Sequence, residues 1–285
     1  MTTITETRPV PATPSRTAGS GQKVTGRRVL RSEWAKLWSL RSTWITLTLG
    51  LLFLFAVGVI AAVQYRSMTG PGKHLDPGLA DATTQSLALF GVPFALVALV
   101  ALGVLGVLTT SGEYTSGMIR STLAAVPRRL PVLWAKAAVH GLIAFVLSVI
   151  GVFVAFLVAS GILSRTPIAM SVTDGGVVRS LLGAGLYLGL VAVIGVALGA
   201  LLRSTAGGIS ALVGTFLLVP SLMSLLPRSW RTDVTPYLPS SAGESVFALH
   251  HTAGTLSAGA GLLVLLGWTA LVLGGAAHRL VRSDV

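Results

Sequence analysis

The sequence predicts an all-α integral membrane protein of six transmembrane helices preceded by an amphipathic interfacial helix, and three observations predict it. More than half of the 285 residues are hydrophobic, only 11% are charged, and mean hydropathy is +0.81, more apolar surface than a soluble domain of this size buries. The apolar residues run on without alternation for about 20 positions at a time, which suits helices and not the alternating strands of a barrel. Third, none of the six runs contains Asp, Glu, Lys or Arg.

Residues 1–25 are rich in Thr, Pro, Ser and Gly and lack an apolar period, so a disordered tail on the cytoplasmic side is expected. Residues 26–42, GRRVLRSEWAKLWSLRS, differ. Leu30, Trp34, Leu37, Trp38 and Arg41 recur at helical spacing, while Arg27, Arg28, Arg31, Lys36 and Ser39 fall mostly elsewhere on the helix. Tryptophans beside basic residues suit a helix lying in the membrane interface.

The membrane domain, 43–285, contains apolar runs at about 43–63, 86–108, 137–163, 180–202, 206–226 and 257–277. Each is long enough to cross about 30 Å of hydrocarbon at about 1.5 Å per residue. Placing the N-terminus inside puts fifteen of the 21 Lys and Arg residues on that side, so both termini are expected in the cytoplasm. Arg203, Ser204 and Thr205 leave so short a turn that the fourth and fifth spans must be antiparallel neighbours. Residues 227–256 carry Trp230, Pro236, Tyr237, Pro239 and Phe247, and are expected to dip into or lie on the opposite interface.

Residues 109–136 are the one patterned polar island between long apolar runs. Glu113, Tyr114, Gly117 and Arg120 come first, Pro127, Arg128 and Arg129 break the segment, and Lys136 opens the next apolar run. A short helix between breaks, basic at its far end, suits a lever lying on the membrane surface against a soluble partner.

Other chemistry is poorly supplied. Charges inside spans, which ion-coupled carriers normally require, are missing, and His140 near one end of the third span suits helix packing. His250 and His251 are adjacent and do not form HExxH, SAGES at 241–245 lacks the GxSxG order, and Gly72-Lys73 is followed by His74 instead of Ser or Thr. The chain is therefore not expected to be an enzyme or to bind catalytic groups, metals, cofactors or nucleic acid. Small residues at intervals of four, Gly185 with Gly189, Gly195 with Gly199 and Ser210 with Gly214, support close helix packing.

The basic-aromatic helix, six spans, Glu-Tyr-x-x-Gly-x-Ile-Arg after the second span, the following Pro-Arg-Arg and the lysine opening the third span resemble the permease subunits of type-2 ABC transporters. The branch is the bacterial one whose ATPase is a separate chain. The resemblance implies an exporter permease in the cytoplasmic membrane that works with an ABC ATPase subunit and a second permease protomer in membrane lipid, with ATP and Mg on the ATPase. It implies an interfacial elbow helix containing Arg31, Trp34, Lys36 and Trp38. The coupling segment would hold Glu113, Tyr114, Gly117, Arg120, Pro127, Arg128, Arg129 and Lys136, and Gly50, Gly58, Ser210 and Gly214 would lie near the dimer interface or pathway. Where relatives carry Gly-Thr, Gly117 is followed by Met118. The alternatives are a non-transporting anchor or sensor for an ATPase, and an ATP-independent carrier.

Overall fold

The computed structural model describes residues 26–39, 41–69, 82–89, 96–119, 130–223, 225–251 and 254–282, which contain helices and turns and no strand. In chain order the helices are α1 (Gly26–Ser39), α2 (Arg41–Met68), α3 (Thr84–Ala88), α4 (Leu96–Thr115), α5 (Leu130–Leu163), α6 (Val177–Leu202), α7 (Thr205–Met223), α8 (Arg228–Val234), α9 (Pro239–Phe247) and α10 (Ala258–Arg282). Among the described residues five helices, α2, α5, α6, α7 and α10, are long and apolar enough to cross a membrane. The predicted second span is divided differently from the expectation. Its first residues form the separate five-residue α3, capped by a reciprocal Thr83–Ser86 box, and α4 begins at Leu96.

Glu113 and Lys136 both lie within helices, Glu113 in the last turn of α4, which runs through Thr115, and Lys136 near the start of α5, which is described from Leu130. Pro131 does not end this helix, because a proline in the first turn gives up an N–H that would lack a helical partner anyway. The α6–α7 turn is as tight as expected. Arg203 takes φ +53 and closes α6, while the Ser204 hydroxyl accepts from the Gly207 N–H to open α7.

Helix α6 is the centre of the bundle, with 78% of its most apolar window buried against 17% to 33% for the other four spans. Its glycines explain how α4 and α5 approach it. A Cβ at Gly195 would collide with the Gly103 carbonyl of α4, and one at Gly199 would sit 2.8 Å from the Val107 carbonyl. One at Gly189 would lie 3.2 Å from the Gly141 carbonyl of α5. The two glycine pairs of the fourth predicted span thus serve two different neighbours within this chain. Tyr187, fully buried, centres the main core and meets Phe216 and Phe247 at ring distances of 6.4 and 5.9 Å.

Helix α7 contains a π segment, Gly214–Leu218, in which the Val219 N–H bonds to the Gly214 carbonyl. Pro220, two residues past the segment, has no N–H to give Phe216, so the widened turn relieves the clash its ring would cause in a regular helix.

The two ends of the bundle have different locks. At the near end Ser111 Oγ and Thr205 Oγ1 are 2.8 Å apart, Arg203 stacks over the Tyr114 ring at 5.2 Å, and Arg279 donates to the Leu201 carbonyl. At the far end Gln85 donates to Ser180 Oγ at 2.6 Å and to the Phe247 carbonyl at 3.1 Å, and Arg179 donates to the Val246 and Ala248 carbonyls. These bonds satisfy carbonyls at the C-terminal end of α9. The segment before α10 folds back along that helix: Trp268 Nε1, ten residues into α10, donates to the Tyr237 carbonyl at 3.0 Å, about 15 Å from the start of the helix.

Candidate functional site

Helix α1 is amphipathic in a way its strongest periodicity conceals. Its protein-facing stripe is Val29, Glu33, Lys36 and Leu37, whereas Leu30, Trp34 and Trp38 are exposed on the opposite side. The expected single stripe of Leu30, Trp34, Leu37, Trp38 and Arg41 is therefore split: Leu37 packs inward, the tryptophans face out, and exposed Arg41 opens α2. Trp38 meets Trp34 at 5.8 Å and Trp44 of α2 at 4.5 Å, an aromatic surface suited to the lipid interface. Arg31 is exposed. Val29 packs against Val132 and Ala135 in the first turns of α5.

That packing delivers Glu33 to a closed ring of charges. Lys136 Nζ lies 2.7 Å from Glu33 Oε2 and 3.0 Å from Glu113 Oε1. Lys36 Nζ lies 2.7 Å from Glu33 Oε1 and 3.0 Å from the same Glu113 oxygen. Each lysine bridges both glutamates, and the two acids and two bases cancel. Glu33, Glu113 and Lys136 are buried; Lys36 closes the ring from the surface with 31% of its side chain exposed.

Electrostatics follow from this enclosure. Burial alone would raise the Glu33 carboxyl, but the neighbouring ammonium groups of Lys136 and Lys36 outweigh it and hold the carboxyl below its usual 4.5. Burial alone would lower Lys36, but Glu33 and Glu113 keep it above its usual 10.5. A buried ring of this kind is poor evidence of net stability, because desolvation offsets attraction, yet it strongly penalises loss of any one member. Its chemical capability is mechanical: three helix ends from distant parts of the chain are joined by directional, charge-assisted bonds.

A cavity of about 230 Å³ adjoins the ring, lined by Leu37, Leu108, Met118 and His140 among others. His140 Nδ1 donates to the Lys136 carbonyl at 3.0 Å, since a carbonyl only accepts, and its Nε2 has no partner. Glu113 Oε2 is buried without a partner as well, which leaves the ring one free acceptor beside that cavity.

The sequence-selected residues divide into three groups. Glu113, Lys36 and Lys136 meet directly, Tyr114 lies under Arg203, and Gly117 takes φ +71 just past α4, where glycine avoids the strain of a side chain. Arg120, Pro127, Arg128 and Arg129 lie outside the described residues, as does the 1–25 tail. Of the four positions expected near an interface or pathway, Gly50 is buried, Gly58 is buried against the Ala88 carbonyl, where a Cβ would sit at 2.6 Å, and Ser210 is exposed. At Gly214 a Cβ would meet open space. Glu33 was not singled out by sequence reasoning. Its signal was the spacing Val29, Glu33, Leu37, which places an acid on an otherwise apolar stripe.

A family model described as "ABC-2 family transporter protein" matches residues 29–221, which takes in α1, the charge ring and the helices through most of α7. No curated protein matches the chain.

Proposed function

This chain belongs to the ABC-2 family of transporter membrane proteins, and from that membership we propose that it is the permease subunit of an ATP-driven exporter, coupled through its near end to a separate ATPase. The observation that carries the reading is the closed Glu33–Lys36–Glu113–Lys136 ring. Residues 116–129 join the ends of α4 and α5, and both ends are tied to α1. A push on that connection by a soluble partner therefore moves three helix ends as one body instead of bending a single loop.

In this reading α4 serves as the sixth span, and α6, packed on α4 and α5 through its glycines, carries the displacement into the middle of the bundle. Interfaces held by close packing and discrete bonds switch between arrangements and do not deform gradually, as an alternating pathway requires. ATP and Mg bind the partner, and two permease protomers, identical or related, enclose the pathway. The near end is cytoplasmic, in keeping with the distribution of Lys and Arg.

The test is co-purification from detergent with the ABC ATPase encoded nearest to this chain, followed by hydrolysis and vesicle transport for wild type, Glu113→Gln and Glu113→Asp. The expected result is a stable complex in which Glu113→Gln lowers transport per ATP by about tenfold, within the usual range of coupling energies, and Glu113→Asp recovers part of it. Failure to form a complex with any candidate ATPase, or unchanged transport per ATP in Glu113→Gln, would overturn the proposal.

A further inference from the structure

The far end holds a second polar feature that the coupling ring does not use. The α8–α9 segment and the approach to α10 enclose a cavity of about 450 Å³, within the usual range for small-molecule sites. Its lining includes Arg231 from α8, Thr235 from the intervening turn, and Ser241, Glu244, Ser245 and Ala248 from α9 and its end. The last four recur at i, i+3, i+4 and i+7, one stripe of a helix. The opposite side of α9 is committed to packing: a Cβ on Gly243 would enter the Tyr187 ring, and one on Gly183 of α6 would sit 2.8 Å from the Val246 carbonyl. The stripe is therefore turned away from α6 by the same contacts that fix the helix, with Glu244 exposed and Ser245 buried against Gly261 of α10.

Two opposite charges face this cavity without neutralising each other. Among the described residues no ion pair or side-chain hydrogen bond is made by Glu244 or by Arg231, so their charged groups lie too far apart to pair directly. Glu244 and Arg231 both line the cavity and stay exposed to solvent, and the part of the Glu244 side chain that is covered shifts its carboxyl above the usual 4.5. Glu244 is also in the second half of its helix, where the helix dipole disfavours a negative charge. The hydroxyl of Thr235, in the same wall, has no partner. An acid and a guanidinium that line one cavity, reachable from solvent and not paired with each other, fit a ligand that brings an opposite charge to each.

We propose that this cavity binds a small zwitterion, with an ammonium group on Glu244 and a phosphate or carboxylate on Arg231. A guanidinium suits oxyanions because its donors match their geometry, and a carboxylate accepts from an ammonium. Either a free solute or a lipid head group supplies this pair of charges.

Full-length protein in nanodiscs of phosphatidylglycerol, which lacks an ammonium, separates the two sources. Glycerophosphoethanolamine is titrated by calorimetry, and in parallel phosphatidylethanolamine is added to the lipid and its retention is read by native mass spectrometry. Saturable binding of the soluble probe, weakened about tenfold or more in both Glu244→Gln and Arg231→Gln, supports the site with a free solute. Retention of the lipid by wild type and its loss in both variants, without binding of the soluble probe, supports the site with a head group. Asp233→Asn, an exposed change in the same segment, is the control and leaves either signal unchanged. Thermal midpoints confirm that the variants are folded. No binding of either probe to wild type, or binding equal to wild type in folded Glu244→Gln, overturns the proposal.

Discussion

At the residue scale the charge ring is an arrangement in which the parts depend on one another. Removing Lys136 leaves two buried glutamates served only by half-exposed Lys36, so Lys136→Met should cost about 3–5 kcal/mol of stability, the usual penalty for orphaning a buried charge. Glu33→Gln should cost a similar amount by leaving an excess positive charge. The double variant Glu33→Gln/Lys136→Met should cost clearly less than the two single losses added together, because each change removes the charge the other orphans. Strictly additive losses in detergent unfolding midpoints would show that the two groups do not interact. The ring also sets a pH response. Glu33 is depressed in the folded protein, so its contribution is present above the usual 4.5 and is lost as pH falls through the lower folded value. Thermal midpoints should hold between about pH 7 and pH 5 and fall below 4.5, and Glu33→Gln should flatten that acid limb.

At the scale of helices, the glycines of α6 make distinguishable contributions. Gly195 lies where any Cβ meets the backbone of α4, which cannot move aside as a side chain would, whereas a Cβ on Gly267 of α10 meets open space. Gly195→Ala should therefore destabilise by about 1–3 kcal/mol, the range for overpacking, and should reduce transport, while Gly267→Ala should be neutral or slightly stabilising through helix propensity. Equal thermal midpoints for the two variants would show that α4 and α6 are not in contact through Gly195. The π segment of α7 has a local cause in Pro220, and replacing that proline with alanine should let the regular hydrogen-bond ladder return, readable as slower amide exchange around Phe216.

For the whole molecule, the two locked ends make a topological prediction. The chain has no cysteine, so single cysteines report without a background to remove. With the near end in the cytoplasm, Ser116→Cys should be protected from a membrane-impermeant maleimide in intact cells and labelled after lysis. Ser171→Cys, between α5 and α6 at the far end, should be labelled in both conditions. The reverse pattern would invert the orientation and remove the coupling proposal, because a cytoplasmic ATPase could not reach residues 116–129.

Much of this protein was legible in one dimension, and the reasons are physical. A helix in hydrocarbon must satisfy its backbone internally and present apolar side chains all round, so long charge-free runs reveal membrane helices directly, as they do for α2, α5, α6, α7 and α10. The tight Arg203–Thr205 turn followed from the shortness of the polar break between two apolar runs. Glu113 and Lys136 stood out because they are charges at the edges of apolar runs, and those edges are local features. What only the tertiary structure decided is which charges meet: Glu33 is separated from Lys136 by 103 positions and pairs with it because α1 folds back along the start of α5. The exposure of Trp34 and Trp38, the assignment of each glycine pair to α4 or α5, and the facing of Glu244 and Arg231 across one cavity were decided in the same way. Periodicity gives a helix its faces, but the neighbour each face meets is set by packing among distant segments, and an amphipathic helix such as α1 has two faces worth burying, one in protein and one in lipid.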